Sequence, residues 1–317
     1  MDRKRWLIVL VSALLGAGAA LIVGSCGGGD GEVRIEGSTT GGPGTSTGGS
    51  GTTTGGASIT VDENAVDAKA LDEAMDDVAG YARRQTKGLV GAARRLRSAI
   101  DANDIPAAKR AYADGRPFYE RIEPLVVLFP ELDGKIDARE DAFPKKAADP
   151  KWTGYHPIER ALWKDRRITA KTRRLAAGLV RDSRRLNTLM AGAAIEPEVV
   201  IPGTAELVDE VEESKITGEE ERYSKLDLPT FLANLEGSRA FYEPLEPLVR
   251  KVDVTLADDI DSAFEAAFAG VTALKKGGRF VAYDALSDED QRKIKQNIEA
   301  LAEPLARVQG VLGVEAS

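Results

Sequence analysis

The sequence predicts an all-α protein, two tandem and related helical bundles preceded by a disordered tether. Three observations carry this. Apolar residues recur at intervals of three and four over long stretches, the period of a helix with one buried face. No segment shows the alternation of a half-buried strand. And "DIPAAKRAYADGRPFYERIEPLV" at 104–126 returns as "DLPTFLANLEGSRAFYEPLEPLV" at 227–249, offset by 123 without a gap and identical at 10 of 23 positions. Repetition on that scale implies a duplicated structural unit.

The first segment, 1–25, has a basic start (Arg3, Lys4, Arg5), an apolar run from Trp6 to Val23, and small residues before Cys26. That order describes a secretory signal. "VGSC" has the form of a bacterial lipobox, so Cys26, the only cysteine, is expected to be lipidated and to begin the mature chain. It leaves no internal disulfide and makes the protein anchored instead of spanning. The expected location is the periplasm or the outer face of the cell membrane. Loss of 1–25, with three basic residues and one acid, takes the net charge from −8 to −10. So acidic a chain suits cations, and neither nucleic acid nor anionic lipid; the membrane is met through the lipid alone.

Residues 26–57 form the tether, and 37–56 contain only Gly, Ser, Thr and Pro. Such a chain buries no core and has a coil reach of about 30 Å.

The first bundle is expected over 58–204. Leu71, Met75, Val78, Ala82, Leu89, Ala92 and Leu96 mark one face of a helix over 64–100, capped by Asp62 or Asn64 and ended by "DANDIP". Further helices are expected over 106–128, over 168–193 (Leu175, Leu179, Leu186, Leu189, Met190) and, in the second bundle (205–317), over 288–312. In the repeat, Asp104 and Asp227 fall where an N-cap belongs, with Pro106 and Pro229 in the first turn. Pro117 and Pro124 predict a local kink or end. Phe118, Tyr119 and Leu125, with Phe241, Tyr242 and Leu248, are expected in the core. Glu120 and Glu123 recur as Glu243 and Glu246, and such a pair, one turn apart, is either a cation-binding or a solvated face.

The single histidine lies in "TGYHPIERALW" (153–163). Gly154 breaks what precedes and Pro157 suits the first position of a helix. His156 then sits near the N-cap and Glu159 one turn inside, on the same face. Imidazole with carboxylate suits iron, zinc, manganese or copper more than calcium or magnesium; alternatively Glu159 is the acid of a capping arrangement. One histidine excludes a zincin. No G-x-S-x-G, P-loop or G-x-G-x-x-G occurs outside the tether.

"WTGYHPIERALW", "YERIEPLV", "IDARED", "KITGEEERYSKLDL" and "FVAYDALSDED" together resemble the imelysin family, in particular its EfeO/EfeM type of periplasmic iron-uptake component, from about residue 64 to 312. The family's G-x-H-x-x-E signature matches as Gly154, His156 and Glu159. The resemblance implies two helical bundles with a metal site near their junction, His156 and Glu159 as ligands, and iron (Fe2+ or Fe3+) as the bound ion, with zinc or copper as alternatives. It also implies an inner-membrane iron permease, and a haem peroxidase of the same system, as partners. Two side chains leave coordination unfilled, so Glu120, Glu123, Asp137, Asp141 (i and i+4 on one helical face) and the run Glu219 to Glu221 in "TGEEERY" are further candidates; Arg139, Arg160 and Lys215 are candidate salt-bridge partners. Many EfeO proteins carry a cupredoxin domain where this chain has its tether, which argues for the shorter EfeM-like form and against electron transfer. Three functions are open on this reading: metal capture and delivery, a metal-dependent peptidase as the family's name suggests, and a non-metal binding module for an acidic polymer or surface protein.

Overall fold

Asp67 accepts a hydrogen bond from the Lys69 N–H and starts helix α1 (Ala68–Asp101), whose Met75, Val78, Ala82, Leu89, Ala92 and Leu96 are all buried. The computed structural model describes residues 67–213 and 215–314, without the side chains of 212 and 213. The signal segment, Cys26, the tether and the expected caps Asp62 and Asn64 lie outside the described residues.

Asp104 caps α2 (Ile105–Gly115) by accepting from the Ala107 N–H. Pro117 and Pro124 then divide the next stretch of chain into α3 (Pro117–Glu120) and α4 (Glu123–Val126), since each lacks the N–H that would continue the helix. After α5 (Pro130–Ile136) come two 3-10 turns, then α6 (Tyr155–Trp163) and α7 (Ala170–Gly192), which opens with a reciprocal Thr169–Thr172 cap. Helix α1 packs along α7 and α2, with α6 bridging α2 and α7; this is the first bundle. Of the apolar stripe on α7, Leu189 is exposed while Met190 beside it is buried.

The second bundle comprises α8 (Pro197–Glu213), α9 (Asp227–Tyr242), α10 (Glu246–Val252), α11 (Val254–Thr272) and α12 (Asp288–Val311). Helix α12 packs on α8 and α11, and α9 on α8 and α11. The 204/205 position lies inside α8, so the chain passes between the halves within one continuous helix. Asp227 is not an N-cap. It is the first residue of α9, and its buried Oδ1 accepts the Glu221 N–H instead. One short antiparallel hairpin, β1 (Lys275–Lys276) with β2 (Arg279–Phe280), pairs Lys275 with Phe280 and Lys276 with Arg279. Its turn is Gly277-Gly278, both at positive φ, as a two-residue hairpin requires.

The two copies of the repeat meet at the junction. Helix α3 packs on α9 and α4 on α8. A Cβ at Gly237 would stand 2.5 Å from the Arg121 carbonyl oxygen, so this glycine sets how closely the copies approach. The Asn234 amide of one copy donates to the Glu120 carbonyl of the other at 3.1 Å. Phe118 and Leu248 are half-buried, and Tyr119, Leu125, Phe241 and Tyr242 are buried.

Candidate metal centre

His156 is brought to its partners by a glycine. Gly154, at φ +89°, precedes α6, and a Cβ there would lie 2.1 Å from the Ile136 carbonyl oxygen and 2.7 Å from that of Lys135. Only glycine allows this conformation and this approach together. The flanking residues fix the same contact, since Thr153 Oγ1 donates to Lys135 O and Trp152 Nε1 to Ala138 O. The start of α6 is therefore pinned against the end of α5, where Asp137 comes next. His156 occupies the second position of α6 and Pro157 the third, two places later than the sequence suggests.

The third component is the segment 218–225, which connects α8 to α9. Lys225 Nζ closes it by donating to Gly218 O, and the Tyr283 ring packs against Gly218, where a Cβ would meet it at 2.5 Å. Tyr283 N–H donates to Lys225 O and its hydroxyl to Ile216 O. Thus "FVAYDALSDED" in the second bundle holds "TGEEERY" over the histidine.

These constraints bring His156 Nε2 to 3.4 Å from Asp137 Oδ1 and 3.7 Å from Glu220 Oε1. Ligand atoms of Asp137, His156 and Glu220 all lie within 4.8 Å of one another. On the other side of the ring, Nδ1 stands 3.5 Å from Glu159 Oε2. The second oxygen of Glu159 accepts the N–H groups of Tyr223 and Ser224 at 2.8 and 2.7 Å, which ties α6 to the 218–225 segment. Glu159 therefore faces the nitrogen opposite the Asp137–Glu220 side. There it can orient the imidazole in the manner of carboxylates behind metal-bound histidines. Asp137 Oδ1, His156 Nε2 and Glu159 Oε2 are buried with no hydrogen-bond partner of good geometry.

Other expected candidates are placed elsewhere. Glu120 and Glu123 face the buried Lys215, whose ammonium is 3.3 Å from Glu120 and in close contact with Glu123, while Asn234 donates to both. Asp141 does not share a helical face with Asp137, because α5 ends at Ile136; it is half-exposed and pairs with Arg222. Glu219 is also half-exposed and pairs with Arg222 at 2.7 Å. Glu221 is buried but turned toward Arg116, Tyr112 and Ser224, at 2.8, 3.0 and 3.0 Å. Arg139 pairs with Glu220, and Arg160 lies 3.7 Å from Glu140. Glu246, a repeat counterpart, is occupied by Arg239 and Arg250. Of the run Glu219 to Glu221 the structure turns Glu220 to the histidine, a choice local sequence leaves open because three successive glutamates outside a helix carry no periodic signal of direction. Arg116 escaped the sequence reading, although its identity with Arg239 in the repeat was a visible signal.

The electrostatics are those of a crowded acidic pocket. Burial alone would push His156 down, but the facing carboxylates of Asp137 and Glu159, at 3.4 and 3.5 Å, outweigh it and hold the imidazole up at about 10. Burial would raise Asp137, yet Arg116 and His156 hold it below the usual carboxylate range. Burial, reinforced by Glu159, lifts Glu221 to about 8. Six carboxylates (Glu120, Glu123, Asp137, Glu159, Glu220, Glu221) surround three permanent cations, Arg116, Lys215 and Arg139, and the imidazole of His156. A pocket of about 10 Å³, lined by His156, Glu159, Glu220, Arg139, Glu140, Glu219, Arg222 and Tyr223, leads outward. It has room for one water-sized species.

The donor set fits a transition-metal ion. An imidazole nitrogen with carboxylate oxygens and no thiolate is a borderline-to-hard combination. Separations of 3.4 and 3.7 Å are those of atoms sharing a shell of ~2.0–2.2 Å radius.

Residues 74–308 match the family model for imelysin, described also as peptidase M75. The chain belongs to the imelysin family. It is 39% identical over 249 residues to the iron uptake system component EfeO of Yersinia pseudotuberculosis, covering 78% of this chain and 66% of that protein. To the EfeO of Escherichia coli K12 it is 42% identical over 235 residues, covering 74% and 62%. The chain thus spans about two thirds of the length of these relatives. A crystal structure of a protein assigned as an iron-regulated protein A precursor from Parabacteroides distasonis superposes with a TM-score of 0.60 at 14% identity, over 76% of this chain and 95% of that one. At that identity the likeness concerns the imelysin fold alone. Among the described residues, no helix is long and apolar enough to cross a membrane.

Proposed function

We propose that this protein is an extracytoplasmic iron-binding component, tethered through lipid on Cys26, that captures iron and delivers it to a membrane permease, with a haem peroxidase as a further partner of the same system. The observation that carries the reading is the convergence of Asp137 Oδ1, His156 Nε2 and Glu220 Oε1 inside a buried acidic pocket with an outlet to the surface. The relatives named for iron uptake support it.

In this reading the ion is cargo. Glu219, Glu140 and Tyr223 line its way in, His156 gives up a proton and presents Nε2, and Glu159 holds Nδ1. The absence of thiolate among the facing groups suits binding that is firm and reversible. A peptidase is the second reading, prompted by the family model's description. His156 is buried under the 218–225 segment, which disfavours contact with a peptide strand; casein hydrolysis abolished by His156→Ala would restore that reading.

The test is anaerobic calorimetry with Fe(II), repeated with Fe(III)-citrate and Zn(II), on wild type, His156→Ala and Glu220→Gln. Saturable iron binding that both variants lose is expected. Equal binding by all three would remove His156 from the function. For the anchor, Cys26→Ser is expected to move the protein from the membrane to the soluble fraction.

A further inference from the structure

The geometry points to Arg116 as the residue that sets how tightly an ion is held at His156 and which ionic charge is preferred. This rests on the metal-binding reading above. Arg116 is buried at the junction of α2 and α3. Its Nη1 lies 2.6 Å from both Asp137 Oδ1 and Glu120 Oε1, its Nη2 2.8 Å from Glu220 Oε1, and its Nε 2.8 Å from Glu221 Oε1. The guanidinium carbon stands 5.3 Å from the centre of the Tyr155 ring and 5.7 Å from that of Tyr119. The two carboxylate oxygens that face His156 Nε2 are therefore the same two that Arg116 holds.

A permanent charge in that place has two consequences. Without an ion, it keeps Asp137 and Glu220 together against their mutual repulsion. When an ion enters, every donor oxygen is shared with the guanidinium, and the repulsion scales with the ion's own charge. A trivalent ion is penalised more than a divalent one.

The second bundle contains the same device without a histidine. Arg239, the repeat counterpart of Arg116, lies 2.5 Å from Asp261, with its guanidinium carbon 5.7 Å from the centre of the Tyr242 ring and 5.2 Å from that of Phe264. Tyr242 is the repeat counterpart of Tyr119. The arginine–aspartate pair is thus an element of the duplicated fold, on which the first bundle has assembled His156 and Glu220.

The experiment titrates the full chain, in detergent, with Mn(II) and with Ga(III) as its nitrilotriacetate, a redox-inert trivalent probe, for wild type, Arg116→Gln and Arg116→Lys. The Gln variant is expected to bind Mn(II) about tenfold more tightly and Ga(III) about thirtyfold more tightly than wild type. The Lys variant keeps the charge but cannot hold both oxygens. It is expected to gain about threefold for both ions, with their ratio unchanged. Mn(II) binding by Arg116→Gln no tighter than wild type, or an unaltered Ga(III)/Mn(II) ratio, overturns the inference while leaving the metal site intact. Failure of wild type to bind either ion overturns the metal reading itself, and this one with it. Should circular dichroism show Arg116→Gln unfolded without metal, folding on Mn(II) addition supports the inference. If it stays unfolded at saturating metal, the Lys variant decides, and Mn(II) binding equal to or weaker than wild type overturns it.

Discussion

Gly154 approaches Ile136 so closely that a Cβ on the glycine would lie 2.1 Å from the isoleucine carbonyl oxygen. The obstacle is backbone and cannot swing away, and φ of +89° adds a penalty for any other residue. Gly154→Ala is expected to cost about 3 kcal/mol or more, combining ~1–3 kcal/mol of backbone strain with displacement of α6 from α5. Urea denaturation of the metal-free protein measures it. Iron affinity should fall as well, because His156 moves away from Asp137; unaltered stability would show that α6 is not held there.

Binding an ion at Nε2 must expel a proton, since His156 is held protonated up to about 10. Affinity should therefore rise with pH, by about tenfold per unit below that value if no other group titrates. Calorimetry in buffers of different ionisation enthalpy is expected to show about one proton released at pH 7. No release would mean that the ion does not use the imidazole.

The same shift has the opposite sign for stability of the metal-free protein. His156 is raised from its ordinary 6.5, so its contribution is complete below 6.5 and disappears as pH climbs through 10. Several kcal/mol are at stake in that window. His156→Gln should flatten the decline, as read from denaturation midpoints between pH 6.5 and 10.

Lys215 is the buried counter-ion of Glu120 and Glu123. Lys215→Met leaves Glu123 without a cation and the buried Glu120 with Arg116 alone, and should cost about 3–5 kcal/mol at pH 7. Burial raises both acids, so part of this loss should be recovered on acidification as they protonate. A variant as stable as wild type at pH 7 would contradict the role given to this lysine.

Arg222 bonds to Glu140, Asp141 and Glu219, clasping the 218–225 segment to the first bundle beside the outlet. These contacts are partly exposed, so Arg222→Ala should cost no more than about 1 kcal/mol. Metal exchange should nevertheless accelerate, measurable by stopped-flow transfer to a chelator. An unchanged exchange rate would mean that ions take another route.

Sequence alone determined the all-α class, the positions of α1, α7 and α12, the breaks at Pro117 and Pro124, and the start of a helix at "TGYHPIERALW". These are local properties, since apolar period, caps and prolines act within a few residues of themselves. The tertiary structure decided which side chains meet His156. Asp137 and Glu220 are 19 and 64 residues away along the chain, and both lie outside regular helix, where spacing does not specify direction. Asp137 and Asp141 part company because the helix ends between them, and Glu120 with Glu123 turns to a lysine from another segment. The packing of Gly154 on Ile136 and of Tyr283 on Gly218 settles what local sequence leaves open, because only these distant contacts orient the backbone that carries the site.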